Sequence, residues 1–177
     1  MHALLSLQKL EETIADPEMK QEDKRLKLSL TGRDPDEAVT DIAYEKGYFF
    51  LRALEVAVGR KKWDRFLRNY FDTYAFQSMT TEKFLSTLDQ ELIKGDDKLK
   101  AKLQIDAWVL GPTLPGNLPK VESSSFARVD AEIKRWQEGA SAADLKTKNW
   151  STEQWLRFLN NLPKPLALEK MAELDRT

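Results

Sequence analysis

The sequence contains no cysteine and a single histidine, His2. The first absence excludes disulfide staples, thiolate zinc sites and a cysteine nucleophile. The second removes a Ser-His-Asp triad for practical purposes. It also removes any His-Glu-x-x-His zinc site, which needs two histidines one helical turn apart. A Gly-rich phosphate loop is missing too: "GRDPDE" and "GPTLPG" have neither the spacing nor the lysine of a P-loop. Neither sign of charge is in excess, with 28 Lys and Arg against 29 Asp and Glu and a formal net charge of -1. Nucleic acid and anionic membrane surfaces are both bound by a surplus of cations, so neither is expected as a partner. No run approaches the roughly eighteen apolar residues of a bilayer span. The start "MHALLSLQKLEE" lacks the basic stretch and long apolar stretch of a secretory signal, and leaves cytoplasmic and periplasmic or secreted locations equally open.

What is present is the composition of a soluble globular chain. Of 177 residues, 41% are hydrophobic and 32% charged, enough for one core, or for one domain and part of a second. Apolar residues recur at helical spacing almost throughout, which predicts an all-α fold. A first helix over 3–15 carries Leu4, Leu7 and Ile14 and stops at Asp16-Pro17. "LKLSL" (26–30) alternates with period two and is the one strand-like segment; "TGRDPDEAV" then reads as turns and caps. From Asp41, the residues Ala43, Gly47, Phe50, Leu54 and Val58 define one apolar helix face, closed by Gly59. Trp63, Phe66, Leu67, Tyr70 and Tyr74 mark the next helix. Thr80 caps another, with Met79 and Phe84 as its staple, running through Leu88 and Leu92 to Gly95. A fifth helix is expected over 97–109.

"GPTLPGNLPK" follows, with three prolines and two glycines in ten residues, and reads as an extended connector at a domain boundary. Beyond it Phe126, Val129, Ile133 and Trp136 form a stripe. Ser151 and Gln154 form a capping box, Trp150 and Trp155 a staple, and Pro163 closes that helix. Leu168, Met171 and Leu174 form a last amphipathic segment with no stop signal, as expected of a chain cut off rather than finished.

On pattern alone Tyr44, at the head of "YEKGYFFLRALE", is either a packing residue or a phenol aimed at chemistry carried elsewhere. Glu45 and Lys46 read as solvent-facing helix charges, and Asp34, Asp36 and Asp41 as turn and capping residues. The wider stretch "DPDEAVTDIAYEKGYFFLRALE" resembles the segment that follows the zinc site in the aminopeptidase N and leukotriene hydrolase family of zinc peptidases (gluzincins). Later landmarks keep the family's order. "FLRNYFDTYAFQSMTTEKFLSTL" and "DAWVLGPTLPGNLPK" resemble the end of its catalytic domain and the proline-rich linker. "WSTEQWLRFLNNLPKPL" is similar to the start of the helical C-terminal domain of the leukotriene hydrolase branch. The resemblance covers about residues 25–177.

This likeness implies residues 1–110 as the helical lobe of a thermolysin-like catalytic domain, 111–125 as the linker, and 126–177 as the first helices of an armadillo-like domain. It implies an enzyme that removes N-terminal residues from peptides with a zinc-activated water, in which Tyr44 matches the tyrosine that donates to the oxyanion. Asp36 falls where the leukotriene hydrolases place an aspartate near the substrate channel, while Asp34 and Asp41 fit structural parts. Val39 stands where that branch has a second tyrosine, which argues against epoxide hydrolysis. The zinc ligands of the family belong upstream of this segment, so no metal ligand is expected here. The implied partners are the zinc-bearing remainder of the catalytic domain and a peptide substrate, and the chain alone is expected to be inactive. The rival expectation is a stand-alone, non-catalytic helical interaction module.

Overall fold

Short polar residues open several helices of this chain, where their side chains compete for backbone N–H groups. The computed structural model describes residues 2–176, with Glu37 and Ala38 by backbone alone. Thr80 Oγ1 accepts from Lys83 N (3.2 Å), Asp96 Oδ1 from Leu99 N (2.9 Å) and Ser123 Oγ from Phe126 N (3.3 Å). At Ser151 the full capping box forms, its hydroxyl accepting from Gln154 N and its own N–H donating to Gln154 Oε1.

The elements run α1 His2–Ala15, α2 Pro35–Ala38, α3 Ile42–Val58, α4 Arg60–Tyr74, α5 Thr81–Leu88, α6 Asp97–Leu103, α7 Ile105–Val109, α8 Ser124–Gln137, α9 Thr152–Asn160 and α10 Leu168–Leu174. A π turn, Asp89–Ile93, extends α5, and a 3-10 turn, Ala142–Asp144, lies between α8 and α9. Among the described residues every regular element is helical, as the periodicity predicts. No helix among them is long and apolar enough to cross a membrane.

Residues 9–120 form one compact unit; residues 121–176 with 2–8 form the other. In the first, α3 and α4 present Phe49, Phe50, Leu54, Trp63 and Phe66 to a core that also takes in Leu88 and Trp108. Aromatic rings line up along α4, with Trp63 stacked on Phe66 (5.5 Å) and Phe84 edge-on to Tyr70 (5.5 Å). Four expectations need correction here. The segment 26–30 is not a strand: among the described residues no second strand is there to pair with it, and Lys27 N instead donates to Val109 O (3.1 Å). The helix after Thr80 does not run evenly to Gly95. Lys94 N bonds Asp89 O five residues back, which rotates Ile93 into the core beside Leu88.

The helix expected over 97–109 is broken at Gln104, which is left-handed (φ 49°). The cause lies in the connector. Asn117 Nδ2 donates to Lys102 O (3.0 Å) and Leu103 O (2.9 Å), taking the last carbonyls of α6. Its Oδ1 accepts from the indole N–H of Trp108 (2.8 Å), a fully buried side chain. The Pro/Gly-rich segment is therefore folded onto its own unit rather than held out as a free spacer. Gly111 belongs to the same arrangement, since a Cβ there would lie 2.4 Å from Ala107 O.

The fourth correction concerns the face of α3. The buried residues are Ile42, Lys46, Phe49, Phe50, Ala53 and Leu54, so the apolar stripe is turned away from Ala43, which is exposed, and runs through a lysine.

The second unit follows its pattern closely. Phe126, Val129, Ile133 and Trp136 are all buried, and Val129, Ile133 and Phe158 make a core against which Leu145, Trp150 and Leu162 pack. The staple is a ring contact, Trp150 edge-on to Trp155 at 5.0 Å. Arg157 reaches Asp130 through two bonds (2.9 and 3.1 Å) and Gln8 through a third (3.2 Å). Of the last stripe only Leu174 joins the core; Leu168 and Met171 are exposed.

Candidate functional site

The site is built around the first turn of α3. Thr40 Oγ1 accepts from Ile42 N (3.3 Å), and Asp41 O accepts from Tyr44 N (3.1 Å) and Glu45 N (2.9 Å), which fixes the helix start. The Asp41 carboxylate takes the Lys9 ammonium, tying α1 to this turn and raising the pKa of Lys9 through that bond. Ahead of it, the loop is braced by Arg33, whose guanidinium makes a paired contact with Asp23 (2.6 and 2.9 Å) and holds that carboxyl below the usual range.

Tyr44 is 74% exposed, although two residues away Lys46 is fully buried. A packing tyrosine on an amphipathic helix would sit on the stripe of Ile42, Phe49 and Phe50; Tyr44 sits off it. Tyr48 and Leu51, one and two turns further on, are exposed along the same side. Beside them lies an apolar cleft of about 280 Å³ lined by Leu26, Gly47, Phe50, Leu51, Met79 and Phe84. Gly47 faces this opening with space to spare, since the nearest atom to a Cβ there would be Leu26 Cδ2 at 3.9 Å.

Asp36 is exposed on the single-turn α2. Asp34 caps that helix, its Oδ1 accepting from Asp36 N (3.0 Å), and Pro35 occupies the first helical position. Val39 is likewise exposed.

Lys46 is the residue that the pattern misreads. It is not a solvent-facing charge: its ammonium lies between Lys24 O (3.0 Å) and Gly111 O (2.6 Å). Burial, with the nearby Arg25 adding repulsion, lowers its pKa to about 8. Lys24 is buried in turn, its ammonium donating to Asp16 O (2.7 Å) just past the end of α1. Two lysines thus serve as C-terminal caps, one beyond α1 and one beyond α7. A signal for Lys46 does exist in the sequence: positions 42, 46, 49, 50, 53 and 54 form a complete helical stripe once the lysine is allowed into it.

Among the described residues no group of three or more His, Cys, Asp or Glu side chains is placed to hold a metal ion, so the donors a zinc ion needs are not found here.

The helical architecture is similar to part of native leukotriene A4 hydrolase from Saccharomyces cerevisiae. The likeness has a TM-score of 0.74 and covers 99% of this chain and 31% of that one; at 24% identity it is a likeness of fold. Leucine aminopeptidase 2 from Sclerotinia sclerotiorum is 32% identical over 143 residues, 78% of this chain and 23% of the relative. The leukotriene A-4 hydrolase homolog of Botryotinia fuckeliana is also 32% identical, over 78% of this chain and 22% of its own length. The chain thus spans about a quarter of the length of the curated relatives it matches. Residues 1–108 match the Peptidase family M1 domain, and the chain belongs to that family.

Proposed function

We propose that this chain supplies the helical part of a zinc-dependent aminopeptidase that removes N-terminal residues from peptides, with Tyr44 as the oxyanion donor. The supporting observation is the position of Tyr44, a largely exposed phenol on a helix start that is itself held rigidly by Thr40, Asp41 and the buried Lys46. When water adds to a peptide carbonyl, the C=O double bond becomes a single bond and its oxygen carries negative charge. The phenolic O–H of Tyr44 donates a hydrogen bond to that oxygen, and the bond strengthens as the charge develops. Collapse of the tetrahedral species breaks the C–N bond as the nitrogen takes up a proton given up by the attacking water. The first residue leaves with a free carboxylate and the shortened peptide with a free amine.

The ligands for zinc are assigned to the part of the relatives' length that this chain does not span, together with the rest of the catalytic domain. The exposed side of α3, with Tyr44, Tyr48 and Leu51, is the surface assigned to that half. Gly47 supports this assignment, because a glycine inside a helix costs about 0.5–1 kcal/mol relative to alanine. Among the described residues no neighbour requires one there. Asp36 is assigned to the substrate side, where its carboxylate faces solvent beside α3.

The test is Tyr44→Phe in the polypeptide that also contains the zinc-bearing half. Loss of one oxyanion donor is expected to lower kcat about 10²–10³-fold with little change in KM. A variant with undiminished kcat would sink this role for Tyr44. The 177-residue chain alone, supplied with zinc, is expected to show no aminopeptidase turnover. A zinc-dependent signal from it would sink the division of labour.

A further inference from the structure

Lys46 occupies a position on α3 where packing asks for an apolar residue. Its neighbours on the stripe are Ile42, Phe49, Phe50 and Ala53, and its own side chain is 0% exposed. A buried ammonium carries a desolvation cost that a methionine of similar length would avoid, and this cost offsets what its two hydrogen bonds contribute to stability. What it adds is direction. Its short bond to Gly111 O (2.6 Å) and its bond to Lys24 O (3.0 Å) join three segments that are far apart in sequence. Both acceptors lie in packed segments. Gly111 packs so tightly on α7 that a Cβ would reach within 2.4 Å of Ala107 O, and Lys24 is tethered through its own ammonium to Asp16 O.

We propose that Lys46 is a positioning residue for Tyr44. Its ammonium fixes the rotation and height of the first turn of α3 against the Gly111 and Lys24 carbonyls, and so sets where the exposed phenol points. This rests on the reading of Tyr44 as the working phenol, but it makes a separate demand: the phenol's position, not the fold's stability, depends on Lys46.

The test uses the 177-residue chain labelled with 3-fluorotyrosine, which carries four tyrosines, Tyr44, Tyr48, Tyr70 and Tyr74. The Tyr44 fluorine signal is assigned by Tyr44→Phe. Lys46→Met is expected to melt at the same temperature as the parent or higher. Its Tyr44 signal moves by more than a linewidth while those of Tyr70 and Tyr74, on α4, stay in place. Lys46→Arg keeps a charged donor and is expected to displace the Tyr44 signal less. A folded Lys46→Met chain whose Tyr44 signal is unmoved overturns the proposal. A Lys46→Met chain that loses its cooperative melt overturns the proposal as well, since the fold's stability would then depend on Lys46. None of these readings needs turnover, so they stand apart from the Tyr44→Phe kinetics that test the peptidase reading itself.

Discussion

The two units of this chain obey local rules to different degrees. In the unit built on α8 and α9, the signals on those two helices are honoured: the capping box at Ser151, the Trp150–Trp155 staple and the buried stripe from Phe126 to Trp136, while on α10 Leu168 and Met171 stay exposed. Among the described residues its one non-glycine at positive φ is Asn149, a type that tolerates the left-handed region. The 9–120 unit breaks several rules. It buries two lysines, absorbs a π turn, and holds Phe76, Lys94 and Gln104 at positive φ. Departures from local consistency gather in the unit that carries Tyr44, which is where a fold that serves a purpose beyond its own stability is expected to depart.

The largest effect that sharpens this contrast belongs to the regular unit. Phe158 is the ring on which Val129, Ile133 and Trp150 converge, and Phe158→Ala is expected to cost about 3–5 kcal/mol in denaturant unfolding. A cost below about 1 kcal/mol would mean that this unit does not depend on its apparent core. In the irregular unit, pH is the probe. Lys46 titrates at about 8 in the folded chain against an ordinary 10.5. Between those values the unfolded chain holds a proton that the folded chain has released, so the Lys46 contribution makes stability rise with pH above about 8 and leaves it flat below. Unfolding midpoints at pH 7.5, 8.5 and 9.5 should show this rise in the parent and not in Lys46→Met; equal slopes in both would assign it to other groups.

Smaller effects follow. Ser151→Ala removes half of the capping box and is expected to cost about 1 kcal/mol, measurable as a lowered unfolding midpoint. Gly47→Ala is expected to go the other way. It should stabilise the isolated chain by about 0.5–1 kcal/mol, because a Cβ meets only Leu26 Cδ2 at van der Waals distance. A destabilised Gly47→Ala chain would show that the open space beside Tyr48 is needed by this unit itself.

Much of the fold was legible because its signals are local. Helix starts at Thr80 and Ser151, the stop at Gly59 and the stripe on α8 each depend on a few neighbouring residues. What could not be read depends on distant partners. The period-two pattern of 26–30 suggested a strand, but pairing requires a second strand, and none exists among the described residues. The break at Gln104 is imposed by Asn117, a residue of the connector. The face of α3 was misplaced by a hydrophobicity count that could not admit Lys46, whose reason for burial lies 22 and 65 residues away. At the site, the family motif pointed to Tyr44 and the structure shows it exposed. The lysine of the same motif was passed over because a charge on a helix is usually a solvated one.

The clasp formed by Asn117 also decides where this chain can be cut. Between Leu103 and Arg128 the only basic residue is Lys120, and the stretch up to Asn117 is held through the Trp108 indole and the Lys102 and Leu103 carbonyls. A protease selective for basic side chains therefore meets its first exposed target in this region three residues past the clasp. Cleavage there would divide the chain into residues 1–120 and 121–177, with the connector up to Asn117 still held by the Lys102 and Leu103 carbonyls.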